Sequence, residues 1–340
     1  MKTNRNWMVA WAVSGAVLAS VVGATAETHE LKLSPATVHW DYYDARIKPV
    51  LRIASGDTVR VETMLYGLQQ MKLAGLPEEE IPKSLKEVAA AAPDPNALGA
   101  PLTGPVYVEG AEPGDMLEIR ILAYEFLHPY AWTGFRPGRG TLPDDFPYSQ
   151  FKLLRLNPPA GTAQFLPGIT LKLAPFWGKI GVASPALLGR IASGAPGPHG
   201  GNFDNKELVA GSTLYLPVYV PGALVSFADG HAMQGDGEVS VTAAETSLRG
   251  TAQIFLRKGK HLRWPRAETP THFIAMGLHS DLDEAARLAV REMIDFLVSE
   301  KGLPREEAYM LCSVAADLRV TQNVDGTKGI HAMLLKSIFQ

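Results

Sequence analysis

Apolar and polar positions alternate in short runs over most of the chain. "HELKLS", "RIKPVLRIASG" and "DTVRVETML", between His29 and Leu65, read as strands; Val59, Val61 and Thr63 alternate with polar neighbours, and Gly56-Asp57 marks a turn. The pattern returns in "PLTGPVYVEGAEPGDMLEIRILAYEF", where Leu117, Ile119 and Ile121 alternate, and in "ITLKLAPFWGKIGVA", "STLYLPVYVPGALVSFADG" and "EVSVTAAETSLRGTAQIFLRKG". Residues 69–100 form a polar, alanine- and proline-rich insertion with one short helix expected, at the periphery. "YAWTGFRPGRGTLPDDF", from Tyr130, reads as an aromatic loop that could shape a pocket mouth. After Pro270 the period changes. Apolar residues at 285, 286, 289, 290, 293, 294 and 297 predict a helix, opened by acids and closed by Lys301-Gly302, and a second short helix and a strand follow. The expected fold is mainly β, a β-barrel or β-sandwich core over 27–265 with a small C-terminal α/β domain over 266–340.

The first 26 residues break this pattern. A basic start, an apolar run over 8–23 and small residues at Ala24 and Ala26 predict a signal peptide cleaved after Ala26, and hence an exported, periplasmic protein. No later stretch offers an apolar ~20-mer that would span a bilayer. Across 340 residues, 32 Lys and Arg face 35 Asp and Glu, so no basic field invites nucleic acid. The single cysteine, Cys312, forbids an internal disulfide and is expected as a buried, inert thiol.

Candidate chemistry gathers in "FADGHAMQGDGEV", Phe227 to Val239. Asp229 and His231, two apart on an extended strand end, would share a face, and Gly230, Gly235 and Gly237 would let Gln234, Asp236 and Glu238 converge. Carboxylates with an imidazole suit zinc, and pure oxygen ligation would suit calcium; an acidic surface turn fits the same composition. "HGGNFDNK" adds Asn202 and Asp204 in a second glycine-rich turn, and "TVHWDYYD" places His39 on an apolar flank. Glu245, among small and apolar residues, would have a raised pKa if buried, as a general acid or base requires. There is no Gly-x-Ser-x-Gly elbow, no His-Glu-x-x-His helix and no phosphate loop, so water activated by a divalent ion is the better nucleophile.

The block "HGGNFDNKELVAGSTLYLPVYVPGALVSFADGHAMQGDGEV", His199 to Val239, strongly resembles the acetamidase/formamidase family, as do "LKLAPFWGKIGVA" and the late "CSVAADLRVTQNVD". The resemblance implies a mainly β, usually dimeric, metal-dependent amidohydrolase that releases ammonia from very small amides. Asp204, Asp229, His231, Gln234, Asp236 and Glu238 sit in matching motifs. On this reading Asp204, Asp229 and His231 hold the metal, expected to be zinc, with His39 contributing. Glu238 or Glu245 takes the proton from water. Gln234, Asp236 and Asn202 line the site, and Trp177 and Trp132, with Tyr130 and Phe135, give it apolar walls. The rival reading is an exported β-rich binding module with structural calcium.

Overall fold

The computed structural model describes residues 26–65, 67–93 and 101–340. The segment read as a signal peptide lies outside them except for Ala26, as does the end of the 69–100 insertion.

Two mixed sheets dominate. The first runs, in spatial order, through Thr28–Leu31, Thr58–Glu62, Leu248–Arg257, Met116–Phe126, Thr213–Pro217, Arg266–Glu268, His272–His279, Lys328–Leu335 and Ala316–Gln322. The second runs through Ile169–Lys172, Thr162–Leu166, Gln150–Asn157, Tyr130–Phe135, Glu245–Thr246, Val225–His231, Phe176–Gly181 and Gly200–Asn202, with Pro101–Val108 branching from it. Both are open: among the described residues no sheet closes on itself, which corrects the barrel expectation. Their inward faces share one core, in which Val59, Val61, Leu117 and Ile254 of the first sheet meet Trp177, Ile180 and Phe227 of the second. Burying such a face is what lets alternating sequences form stable strands.

The C-terminal residues extend the first sheet and cover it with two helices, Leu282–Lys301 and Arg305–Ala315. The longer helix opens where the Asp281 carboxylate accepts from the Glu284 amide and ends at left-handed Gly302. Its Ala285, Ala289, Met293 and Leu297 stripe packs on Ala275, Ala332 and Leu334 beside buried Cys312. Ala285 and Ala289 backbone press so closely on Gly277 that a Cβ there would stand 1.9 Å from the Ala285 carbonyl oxygen.

Two local expectations change. Tyr130–Phe135 is a strand, not a loop, hydrogen-bonded to Gln150–Asn157 along its length. The insertion carries two short helices, Leu68–Leu73 and Lys83–Ala90, and is not merely peripheral: Met71, Leu76, Leu85 and Val88 form a buried cluster with Tyr130 and Trp132. The bulky aromatics of 130–135 needed a cover, and these helices supply it. Among the described residues no helix is long and apolar enough to cross a membrane.

Candidate metal centre

The site is built on one strand and its two neighbours. Phe176–Gly181 pairs on one side with Gly200–Asn202, Lys179 opposite Asn202, and on the other with Val225–His231, Phe176 opposite His231. His231 in turn lies directly across from Glu245. Asp204 follows the Gly200–Asn202 strand and is tied to the central one by its amide, which donates to the Gly178 carbonyl at 3.1 Å. Carboxylates from both neighbours therefore converge on Gly178. A Cβ at that glycine would stand 2.4 Å from Asp204 Oδ1, 2.8 Å from His231 Cε1 and 3.2 Å from Asp229 Oδ2, so only glycine leaves the space open.

Backbone conformation does the aiming. Asp204, Asp229 and Glu238 all hold left-handed φ angles, 49°, 61° and 47°. Non-glycine residues rarely adopt that region, and such strain concentrates at functional sites. The ligand-capable atoms of Asp204, His231 and Glu238 lie within 4.8 Å of one another, and so do those of Asp229, His231 and Glu245. His231 belongs to both sets.

The imidazole is held in one orientation. Gln234 Nε2 donates to the Asp204 carbonyl oxygen at 2.6 Å, which turns Gln234 Oε1 toward His231 Nδ1, 3.0 Å away. An amide oxygen can only accept, so Nδ1 carries a proton, and Nε2 is the nitrogen left to bind a cation in place of its own proton. That Nε2 is buried and without a hydrogen bond, 3.4 Å from Glu245 Oε2, 3.6 Å from Asp229 Oδ1 and 4.0 Å from Asp204 Oδ1. Asp204 Oδ1 and Glu245 Oε2 also lack partners among the described residues. Buried polar atoms are ordinarily paired. Three orphaned donors around a bare glycine, with an imidazole fixed by an outer hydrogen bond, fit a divalent ion.

Charge points the same way. Asp204, Asp229, Glu238 and Glu245 are buried and Asp325 is half-buried, against the Lys179 ammonium and one imidazole. Burial, reinforced by Glu238 and Asp325, pushes the Asp204 carboxyl well above its ordinary range. Burial and Asp325 do the same to Glu238, and burial also raises Glu245 and Asp325. Burial acts on Asp229 in the same sense, but Lys179, with Nζ 2.6 Å from Oδ2, and His231 outweigh it and hold Asp229 ionised. Burial would lower His231; Glu245 and Asp229 overcome it and raise it well above the usual imidazole range. Such a cluster demands positive charge, from protons or from a cation.

Of the residues singled out in sequence, the structure brings together Asp204, Asp229, His231, Gln234, Glu238, Glu245 and Asn202, whose Nδ2 donates to Asp204 Oδ2 at 2.6 Å and to Asp325 Oδ2 at 2.7 Å. Four it places elsewhere. His39 lies on Val38–Trp40 and meets Ser226 Oγ through Nε2 at 2.9 Å, and burial lowers its pKa to about 4. Asp236 is exposed and pairs with Lys206 at 3.1 Å, because left-handed backbone at Gly237 and Glu238 breaks the alternation and turns only Glu238 inward. Trp177 packs in the shared core against Tyr124 and Phe227, and Trp132 sits under the insertion helices against Phe151. Of the other two proposed wall aromatics, Tyr130 joins Trp132 in that cluster, and Phe135 packs tilted against Phe146 and edge-on against Tyr148. Lys179, Gly178 and Asp325 went unread. Lys179 had a signal, a lone charge inside the apolar run Phe176–Val182; Asp325 arrives from the hairpin after Ala316–Gln322, where Gln322 Oε1 accepts its amide at 3.2 Å.

The Acetamidase/Formamidase family model matches residues 29–194 and 189–340. A formamidase of Methylophilus methylotrophus is 29% identical over 195 residues, covering 42% of this chain and 48% of that one. The chain spans about half the length of the curated relatives it matches. Solved structures align over far more: an acetamidase from Bacillus halodurans superposes with a TM-score of 0.78 at 35% identity, over 91% of this chain and 98% of that one. An acetamidase from Yersinia enterocolitica gives 0.80 at 29% identity over 94% of each. With the match running through every strand and turn that builds the site, the chain belongs to the acetamidase/formamidase family.

Proposed function

We propose that the protein hydrolyses a short aliphatic amide, formamide or acetamide, to ammonia and the carboxylate. The observation that carries this reading is His231 Nε2, unpartnered and aimed at carboxylates of Asp229, Glu245 and Asp204 beside bare Gly178. His231, shared by the two clusters, would hold a divalent ion with Asp204 and Asp229, one carboxylate from each, leaving Glu238 and Glu245 for proton transfer. A nitrogen donor among oxygens favours zinc over calcium, which speaks against the calcium-module reading. Such an ion, when bound, lowers the pKa of water and polarises an amide carbonyl.

The chain's own groups divide the remaining work. Lys179 keeps Asp229 ionised, and Asn202 clamps Asp204 and Asp325 with one amide nitrogen. Gln234 fixes the imidazole tautomer. Glu238, made more basic by burial, would in its ionised form take the proton from attacking water and, as the acid so formed, give it to the departing nitrogen. A pocket choosing between formamide and acetamide distinguishes one methyl group, worth about 1–3 kcal/mol. Family relatives named formamidase and acetamidase support the substrate class. Export rests on the pattern of residues 1–26, and assembly as a homodimer on the family resemblance.

The test is ammonia release from a panel of small amides by the purified mature protein, before and after chelation and zinc restoration. Release from formamide or acetamide that chelation stops and zinc restores is the expected result. Full release from chelated protein, or none from any amide with zinc bound, would remove the proposal.

A further inference from the structure

A second cavity lies away from the carboxylate cluster, between the helix Leu282–Lys301 and the first sheet. It encloses about 440 Å³, within the range of small-ligand sites. Its floor is apolar: Met293 and Phe296 from the helix, Phe273 and Ala275 from the sheet. Its rim is mostly basic, with Arg257, Lys260, His261, Arg266 and Lys301 against Glu268 and Glu300.

The acids are less available than the count suggests. Glu268 is engaged through both oxygens, accepting from Tyr215 Oη at 2.8 Å and pairing with Lys336 at 2.7 Å. Glu300 stands exposed at the mouth. Among the cations, Arg257 is paired with Glu118 at 2.6 Å, and Lys301 lies over the rings of Phe273 and Phe339. Arg266 differs from both. It sits on the short strand Arg266–Glu268, opposite Ala275, with Cζ 5.3 Å from the centre of the Phe296 ring; among the described residues its side chain makes no hydrogen bond and no ion pair. Burial, working against the more distant Glu300 and Glu292, pushes it below the ordinary guanidinium range. A half-buried guanidinium normally finds a carboxylate, because its five donors are costly to leave unmet.

We infer that this cavity is a binding site for a small organic carboxylate with a flat or apolar body, its oxygens on Arg266 and its body over Phe296, Phe273 and Met293. The fork of the guanidinium matches two carboxylate oxygens, and the aromatic floor takes up an apolar ring that water would release. Nothing in this site depends on the hydrolytic reading of the other.

Titration calorimetry with benzoate on the full mature protein tests it. Benzyl alcohol supplies the ring without the charge, and inorganic phosphate the charge without the ring. Wild type is expected to bind benzoate more tightly than either. Arg266→Met should weaken benzoate on the order of tenfold to a hundredfold, while Asp204→Asn, in the other site, should leave it unchanged. The inference is overturned if benzoate fails to bind, if binding survives Arg266→Met, if Asp204→Asn abolishes it, or if phosphate or benzyl alcohol binds equally well. Should Arg266→Met fail to fold, a benzoate-soaked crystal of wild type decides: density for the ring over Phe296 upholds the site, and an empty cavity removes it.

Discussion

Met116–Phe126 and Leu248–Arg257 form a long antiparallel ladder, from Leu248 opposite Phe126 to Arg257 opposite Met116. Along its second strand, buried Leu248, Gly250, Ala252 and Ile254 alternate with partly exposed Arg249, Thr251, Gln253 and Phe255. Phe176–Gly181 and Val225–His231 also pair antiparallel, yet every residue of both strands is buried, including Lys179, Asp229 and His231. Their register passes from Trp177 opposite Gly230 to Lys179 opposite Ala228, and between those pairs left-handed Asp229 faces Gly178. One pair follows the rule that apolar side chains go inward and polar ones outward. The other breaks it at the positions where the carboxylates meet, and the regular ladder packs against it across the shared core, where Trp177 lies on Gly250.

Substitutions should separate the two. Gly178→Ala inserts a methyl group 2.4 Å from Asp204 Oδ1. Bound metal and ammonia release are expected to fall to background, while circular dichroism keeps the native sheet signal. Ile254→Ala, in the fully buried ladder core, should do the converse, costing about 2–5 kcal/mol of unfolding stability with activity per folded molecule intact. If Gly178→Ala unfolded the protein and Ile254→Ala silenced it, the division of labour would be wrong.

A gentler change sharpens the account of the imidazole. Gln234→Leu removes the acceptor that fixes Nδ1 and the donor to the Asp204 carbonyl. Metal affinity should drop about ten- to a hundredfold, as loss of an outer hydrogen bond does elsewhere. Competition with a chromophoric chelator measures it, and an unchanged affinity would mean that the tautomer is set by something else.

His39 should have no effect on the metal site and act on stability alone. It is buried neutral against Ser226 with a folded pKa of about 4, below the unfolded value of about 6.5. Its contribution is therefore full above about pH 6.5 and erodes as pH falls toward 4, since the unfolded chain binds the proton first. The slope is roughly 1.4 kcal/mol per pH unit in that window. In His39→Asn, denaturant melts between pH 6.5 and 4 should lose about that much slope, with metal content unchanged; loss of the metal would return His39 to the ligand set.

Much of this site could be read in the sequence, for physical reasons. Glycines beside the acids of 229–238 let the backbone turn tightly, and an aspartate two residues before a histidine on a strand shares its face. Asp236 and Glu238 could not be told apart, because which one faces inward depends on the left-handed φ at Glu238 and on Gly237 docking to Val320. Asp325 was hidden by distance along the chain, being delivered by a hairpin of the C-terminal layer. Trp132 and Trp177 show the opposite difficulty: large aromatics beside glycine-rich segments look like pocket walls in sequence, but burial of so much apolar surface draws them into cores. In the fold, strand content was visible, but closure into a barrel depends on long-range pairing that no local pattern encodes.

Zinc-edge X-ray absorption on wild type and His231→Ala tests the central assignment most directly. A near-stoichiometric ion with one imidazole among oxygen donors at about 2.0–2.2 Å, lost from the variant, is the expected result. A shell of oxygen alone, or an ion retained in full by His231→Ala, would contradict it.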